Sequence, residues 1–324
     1  QLGAGPIATA ASLLPQLKQN HSFSYDNAAW GLKLMAWGFF KKLVVADRLA
    51  ALFVDPVYQN PAEYSGGAFV IATAAFAFQI YCDFGGYSDI ARGCAKTMGI
   101  DLMVNFKAPY LFSASVSEYW KRNHISLSEW FHDYVYISLG GNRKGPWKKA
   151  LFVTITFFLS GLWHGAGWTF VTWGLLQALY LNAEALFRRK GPVPLPAALS
   201  LLRGLAARLW TFALCCFSLV FFRASSMEQA LYVLRHSLSG GRQPLAYAQS
   251  ALESLDPGWF ALAPVLASLA LLFLFDLANE RGDAIQKLSA WPLLLRWPVY
   301  AVFLLLLVLL IPKTGSVPFL YFQF

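Results

Sequence analysis

The chain has 324 residues, of which 57% are hydrophobic and 13% charged, about half the charged fraction of an ordinary soluble domain, so a bilayer is the solvent this composition fits. Aromatic residues make up 16%, with 12 Trp among them; such an excess suits rings seated at membrane interfaces, whereas a large soluble core would still need a charged shell. The formal charge of +9 does not point to nucleic acid, because the basic residues sit in short clusters between apolar runs and form no continuous basic face.

Gln1 to Pro6 reads QLGAGP, with neither the basic start nor the apolar core of a secretory signal, and the expectation is a segment from the middle of a longer protein. The first apolar stretch, about Ala28 to Val54, carries Lys33, Lys41, Lys42 and Arg48. It is amphipathic, and either lies along the interface or spans with its lysines snorkelling to water. The second, Gly67 to Cys82, is uninterrupted and is followed at once by Asp83, Gly85, Gly86, Ser88 and Asp89. Two acids beside a span are costly unless paired, and Arg92, three residues after Asp89, offers an intrahelical partner.

From Gly93 to Ala150 the chain turns more polar, with eight Lys or Arg against four acids, and the positive-inside rule places this region in the cytoplasm. Its middle, SVSEYWKRNHISLSEWFHDYVYISLGG, puts Trp120, Leu127, Trp130, Phe131, Tyr134 and Val135 at near-helical spacing, which predicts a helix lying on or dipping into the inner face. The next apolar stretch, Leu151 to Phe187, is flanked by Lys148-Lys149 and by Arg188-Arg189-Lys190, so both ends prefer the cytoplasm. Its roughly 37 residues suffice for two helices of about 18 each, and Gly161, Gly165 and Gly167 supply a break with His164 at the apex. A Pro-rich linker, Gly191 to Pro196, leads to candidate spans at about Leu205 to Phe222, Trp259 to Phe275 and Pro298 to Ile311. Between them Ala224 to Pro257 reads as a polar loop, and Asp276 to Trp291 as a shorter one of mixed charge. The expected fold is an all-α polytopic membrane protein forming a single domain over residues 1–324.

Cys82, Cys94, Cys215 and Cys216 fit neither a zinc site nor a disulfide framework and read as packing residues. His164, within GLWHGAGW, is the sharpest polar feature: amid an apolar run it loses hydration and needs a partner or a purpose. The flanking glycines permit close approach of another chain or a ligand, and Trp163 and Trp168 could wall a passage. His124, in WKRNHISLSEWF, is the second candidate, against the plainer reading of a solvated histidine on a basic helix. His21, His132 and His236 read as surface or loop residues. No acid stands at triad spacing from His164, and no HxxxH or ExxH pair suggests a metal.

Several of these segments, in the same order, resemble the membrane-bound O-acyltransferases, and within them the bacterial branch that includes alginate O-acetyltransferases. The residues that carry the resemblance are QLGAGPI, YCDFGGYSDIARG, NFKAPYLFSASVSEYWKRNHISLSEWFHDYVYISLGGNRKG, GLWHGAGWTFVTWG and PFLYFQF. The resemblance covers nearly the whole chain. It implies the fold of that family, with a hairpin or re-entrant helix pair carrying the histidine, and further transmembrane helices before the AGPI segment. It implies that His164 is the catalytic residue and His124 the second characteristic position. It also implies a bacterial inner-membrane enzyme that takes acetyl groups from cytoplasmic acetyl-CoA, holds no bound cofactor or metal, and passes the acetyl group to a periplasmic acetyltransferase partner for alginate-like O-acetylation. Lys107, Lys121, Arg122, Arg143 and Lys144 are then candidate contacts for CoA phosphates, although orientation signals and lipid headgroup contacts explain the same residues. Transfer of D-alanine to teichoic acids, a transporter or channel, and a docking subunit without chemistry are the competing readings.

Overall fold

The computed structural model describes residues 5–187 and 196–311. The QLGA of the opening motif, the basic triplet 188–190, residues 191–195 of the linker and the closing PFLYFQF lie outside the described residues. Among the described residues the secondary structure is helical, without strands. After a short helix, α1 (Ala10–Leu17), the first apolar stretch forms one nearly unbroken helical run, α2 (residues 25–59), which starts on a Ser24 hydroxyl accepting from the Asn27 amide. Two π-helical insertions, Phe40–Ala46 and Ala50–Val54, interrupt its α-helical turns.

The second stretch forms α3, Gly67–Thr97, 31 residues long, about 46 Å at 1.5 Å per residue. It runs on past Cys82 through the polar residues that follow, because those residues pack against α2. A Cβ on Gly31 would stand 2.5 Å from the Gly93 carbonyl, and one on Gly38 would stand 2.6 Å from the Gly86 carbonyl. The two contacts run in opposite order along the chain, so the helices are antiparallel, and the four glycines let their backbones touch. Asp83 and Asp89 therefore lie inside a helix and face lysines of its neighbour.

The single amphipathic helix expected around residues 115–136 is instead two short ones, α4 (Val116–Trp120) and α5 (Ile125–Phe131), with a π-helical turn at His132–Tyr136. The break falls at His124, whose φ is +45°. The apolar stretch before the linker forms the expected pair, α6 (Pro146–His164) and α7 (Trp168–Phe187), with His164 as the last residue of α6. Gly161 and Gly174 make the two arms fit: a Cβ on Gly161 would stand 2.5 Å from the Phe170 carbonyl, and one on Gly174 would collide with the Phe157 carbonyl.

α8 (Ala197–Arg223) is followed by α9 (Met227–His236) and α10 (Pro244–Leu255), where a polar loop was expected. α11 (Trp259–Glu280) continues past Phe275, which places Asp276 inside it, and α12 (Ala284–Ser289) and α13 (Leu293–Leu310) follow. Among the described residues, four helices are long and apolar enough to cross a membrane: α3, the Ala198–Arg223 part of α8, α11 and α13. No residue of α13 is buried, and its exposed leucines form the kind of surface that hydrocarbon solvates.

Candidate functional site

His164 closes α6 among aromatic rings contributed by three helices. Its centroid lies 4.9 Å from that of Trp163, 5.0 Å from Trp173 on α7 and 5.2 Å from Phe222 on α8, each ring edge-on. Trp168, expected to wall a passage, is 76% exposed; Trp173 and Phe222 take that position. Trp120 on α4 extends the wall, 5.9 Å from Trp173, and its indole N–H donates to Gln177 Oε1 at 3.2 Å. Gln177 in turn donates to the Ser218 hydroxyl at 2.7 Å. The result is an aromatic wall against a half-buried His164, with Trp163 partly exposed and Trp120 tied through Gln177 to Ser218.

His124 is not a solvated surface histidine. It is 5% exposed, with the Phe84 ring 4.6 Å away edge-on, the Phe106 ring stacked at 6.0 Å and the Trp163 ring at 6.3 Å. Trp163 therefore packs against both imidazoles. Burial pushes the pKa of His124 well below the usual histidine range, and the nearby charge of His164 adds to the effect. The chain reaches His124 through two backbone bonds that join residues 105–107 to 122–125: Lys107 N–H to the Arg122 carbonyl at 2.8 Å, and Ile125 N–H to the Asn105 carbonyl at 2.9 Å. The Asn105 side chain, also buried, meets His124 Nδ1 at 3.3 Å. Periodicity had given no sign of this junction, since its partners lie 15 to 20 residues away across a segment with no helical pattern.

Of the five basic candidates, Lys107 lines a cavity of about 260 Å³ whose walls include Trp30, Lys41, Asp89, Arg92, Phe106, Asp276 and Glu280. Phe106 is shared between this cavity and the His124 ring stack. Arg122 lies beside Lys107, but its guanidinium is held by Glu280 at 2.5 Å and Glu118 at 3.2 Å. Lys121 is exposed, and Arg143 and Lys144 stand exposed on the turn before α6, so the structure does not bring these three to the cavity.

A second feature escaped the sequence. Lys41 and Lys42 do not snorkel: they turn inward and bind acids of α3. Lys41 Nζ lies 2.8 Å from Asp89, while Lys42 Nζ lies 2.6 Å from Asp83 and 2.8 Å from Asp47. The expected Arg92–Asp89 pair is present but longer, at 3.5 Å. Asp276 accepts from the Tyr81 hydroxyl at 3.0 Å, and the Lys41 ammonium lies 5.0 Å from the Tyr81 ring centroid. Adjacent lysines in an apolar run, and two acids set among glycines in the next, were the available signal. Cys82 and Cys215 are buried and Cys216 half-buried, as packing residues should be, whereas Cys94 is exposed.

Residues 1–226 match the model of the membrane-bound O-acyltransferase family. A peptidoglycan O-acetyltransferase of Helicobacter pylori is 37% identical over 72% of this chain and 44% of its own length. Probable alginate O-acetylases of Pseudomonas putida and Pseudomonas aeruginosa are 35% and 38% identical, covering 99% and 87% of this chain and 66% and 52% of theirs. The chain thus spans about half to two thirds of the length of these relatives. Its apolar helices make it a multi-pass membrane protein, and it belongs to the membrane-bound O-acyltransferase family.

Proposed function

We propose that the chain carries the acyl-transfer centre of an inner-membrane O-acetyltransferase that moves acetyl groups from cytoplasmic acetyl-CoA to an extracytoplasmic acceptor for polysaccharide O-acetylation. The observation that carries this reading is the gathering of His164 and His124 on Trp163, with Phe106 linking His124 to a cavity that has a free basic rim at Lys107. CoA is too highly charged to cross a bilayer, so donor and acceptor must meet inside the protein. A hairpin whose histidine stands at the turn between its arms provides such a place.

In this mechanism His164 acts as general base. It takes the proton of the acceptor hydroxyl as the oxygen attacks the thioester carbonyl, and returns it to the departing CoA thiolate, so that hydroxyl and thioester become ester and thiol. Neutral imidazole is the required form. His124 positions the donor or polarises its carbonyl. Lys107 makes the direct phosphate contact, with Arg122 beside it on the donor side; Lys121, Arg143 and Lys144 serve orientation or headgroup contact. A periplasmic acetyltransferase partner then relays the acetyl group to polymer.

His164→Ala is expected to lower acetyl transfer by roughly 10²–10⁴-fold with expression and membrane insertion intact; near-normal polysaccharide acetylation in that variant would remove His164 from the mechanism. The similarity to a peptidoglycan O-acetyltransferase favours a second acceptor. Cells given labelled acetyl donor separate the two, since label enters either secreted polysaccharide or the muropeptides released by muramidase. Teichoic acid D-alanyltransferases, such as that of Streptococcus thermophilus at 29% identity over 56% of this chain, are the more remote relatives.

A further inference from the structure

The buried side chain of Asn105 is bonded at both ends, and its orientation is determined by two backbone groups. One end of the amide meets the Gly5 carbonyl oxygen at 3.3 Å, a group that can only accept. The other end meets the Ser126 backbone N–H at 3.1 Å, a group that can only donate. Nδ2 must therefore point to Gly5, and also to the Ser88 hydroxyl at 3.2 Å, while Oδ1 points to Ser126, whose hydroxyl donates to it at 2.9 Å. The reversed amide would set N–H against N–H and C=O against C=O. Because Oδ1 is the atom facing His124 Nδ1 at 3.3 Å, that ring nitrogen must carry the hydrogen.

We propose that Asn105 is a positioning residue that fixes His124 as the Nδ1–H tautomer, leaving the Nε2 lone pair as the atom His124 offers to the reaction. A neutral imidazole protonated at Nδ1 has no hydrogen on Nε2, so it accepts a hydrogen bond and cannot donate one to a carbonyl. Of the two tasks open to His124, polarising the thioester is excluded. Holding an N–H of the pantetheine arm, or the acceptor hydroxyl, remains. A second, independent feature points the same way: His124 sits at φ +45°, a strained position for a residue with a side chain. Asn105 secures both residues that follow it, taking Ile125 N–H on its carbonyl and Ser126 N–H on its amide oxygen. Strain held by the same residue that selects the tautomer is the pattern of a preorganised group.

The inference rests on the reading of His124 given above, and its test separates the two. The full chain is labelled with ¹⁵N-histidine in lipid nanodiscs, and the His124 resonances are assigned by their loss in His124→Gln. The proposal expects a pyrrole-type Nδ1 and a pyridine-type Nε2 in the native protein; a protonated Nε2 on neutral His124 overturns it. The native spectrum decides this even if Asn105→Ala does not fold. Where it does fold, Asn105→Ala is expected to mix the tautomers and to lower kcat by roughly 10- to 100-fold with KM for acetyl-CoA little changed. Ser88→Ala, which removes a partner of Nδ2 and leaves Oδ1 on His124, is expected to keep both the tautomer and the native rate. A merely structural Asn105 would make the two variants fail alike, and that result also overturns the proposal. A native rate in His124→Gln would refute the role of His124 in transfer, while the resonances would still decide the assignment to Asn105.

Discussion

Lys42 holds Asp47 and Asp83 at once, and all three side chains are largely withdrawn from solvent. Charges in such a place cost several kcal/mol each to desolvate and are tolerated because both carboxylates face the shared ammonium. Removing the cation alone leaves two carboxylates facing each other. Lys42→Met is therefore expected to destabilise the protein by about 3–5 kcal/mol, and Asp83→Asn in that background should restore part of the loss, as read from thermal unfolding in detergent. Equal loss in the single and double variants would mean that the pair is not the source. His124→Ala argues differently, because the imidazole packs against the Phe84, Phe106 and Trp163 rings and meets the Asn105 side chain through Nδ1. It is expected to reduce transfer by roughly 10- to 100-fold while also lowering the unfolding temperature through the lost ring contacts, and a native rate would return it to a packing role. His164 could be singled out in the sequence because an imidazole between glycines in an apolar run is conspicuous locally. The burial of His124 could not, since Phe84, Phe106 and Trp163, which cover it, come from three separate segments.

Between helices, the crossing of α2 and α3 sets the position of everything that hangs from them. Gly31 and Gly38 lie seven residues apart and face Gly93 and Gly86, again seven apart, so two glycine contacts repeat along one seam. Close backbone approach is what carries the side chains of Lys41 and Lys42 to Asp89 and Asp83; a wider crossing would leave the ammonium groups short of their partners. Gly38→Ala introduces a Cβ 2.6 Å from the Gly86 carbonyl, and backbone cannot swing aside as a side chain would. The expected cost is about 1–3 kcal/mol, with Gly38→Val worse and Gly204→Ala, which meets open space, neutral. Equal stability of Gly38→Ala and the native chain would show that the helices can separate without consequence. The existence of the helices was legible from the length and apolarity of their segments, and so was the hairpin carrying His164. Their ends were not: α3 and α11 both run on through acids, because Lys41, Lys42 and Tyr81 satisfy those acids from other parts of the chain. Likewise α9 and α10 carry too little apolar sequence to stand out as spans, and they read as loop for that reason.

Across the whole molecule, the cavity beside His124 is assembled from segments distant in sequence. Trp30 of α2 donates to Asp283 at 2.8 Å, Lys33 donates to Ser289 at 2.7 Å, and Arg122 bonds Glu280, so the α11–α12 corner is bound to both α2 and the loop before His124. Within that frame nearly every charge is already matched: Lys41 and Arg92 with Asp89, Arg122 with Glu280 and Glu118, and Asp276 with the Tyr81 hydroxyl. Lys107 is exposed at the rim, and among the described residues its ammonium is engaged by no carboxylate. A polyanionic donor entering here would find one uncommitted cation, whereas Arg122 would have to abandon two carboxylates to meet it. Lys107→Ala is accordingly expected to raise KM for acetyl-CoA roughly fivefold or more, the order expected on losing one hydrogen bond to a charged group, with kcat nearly unchanged. The difference between native and variant should shrink as ionic strength rises, because the contact is solvent-exposed. Arg143→Ala and Lys144→Ala, which lie away from the cavity, should leave KM as it is. If those two raised KM and Lys107→Ala did not, the donor would enter by a different face, and the cavity beneath Phe106 would have no part in transfer.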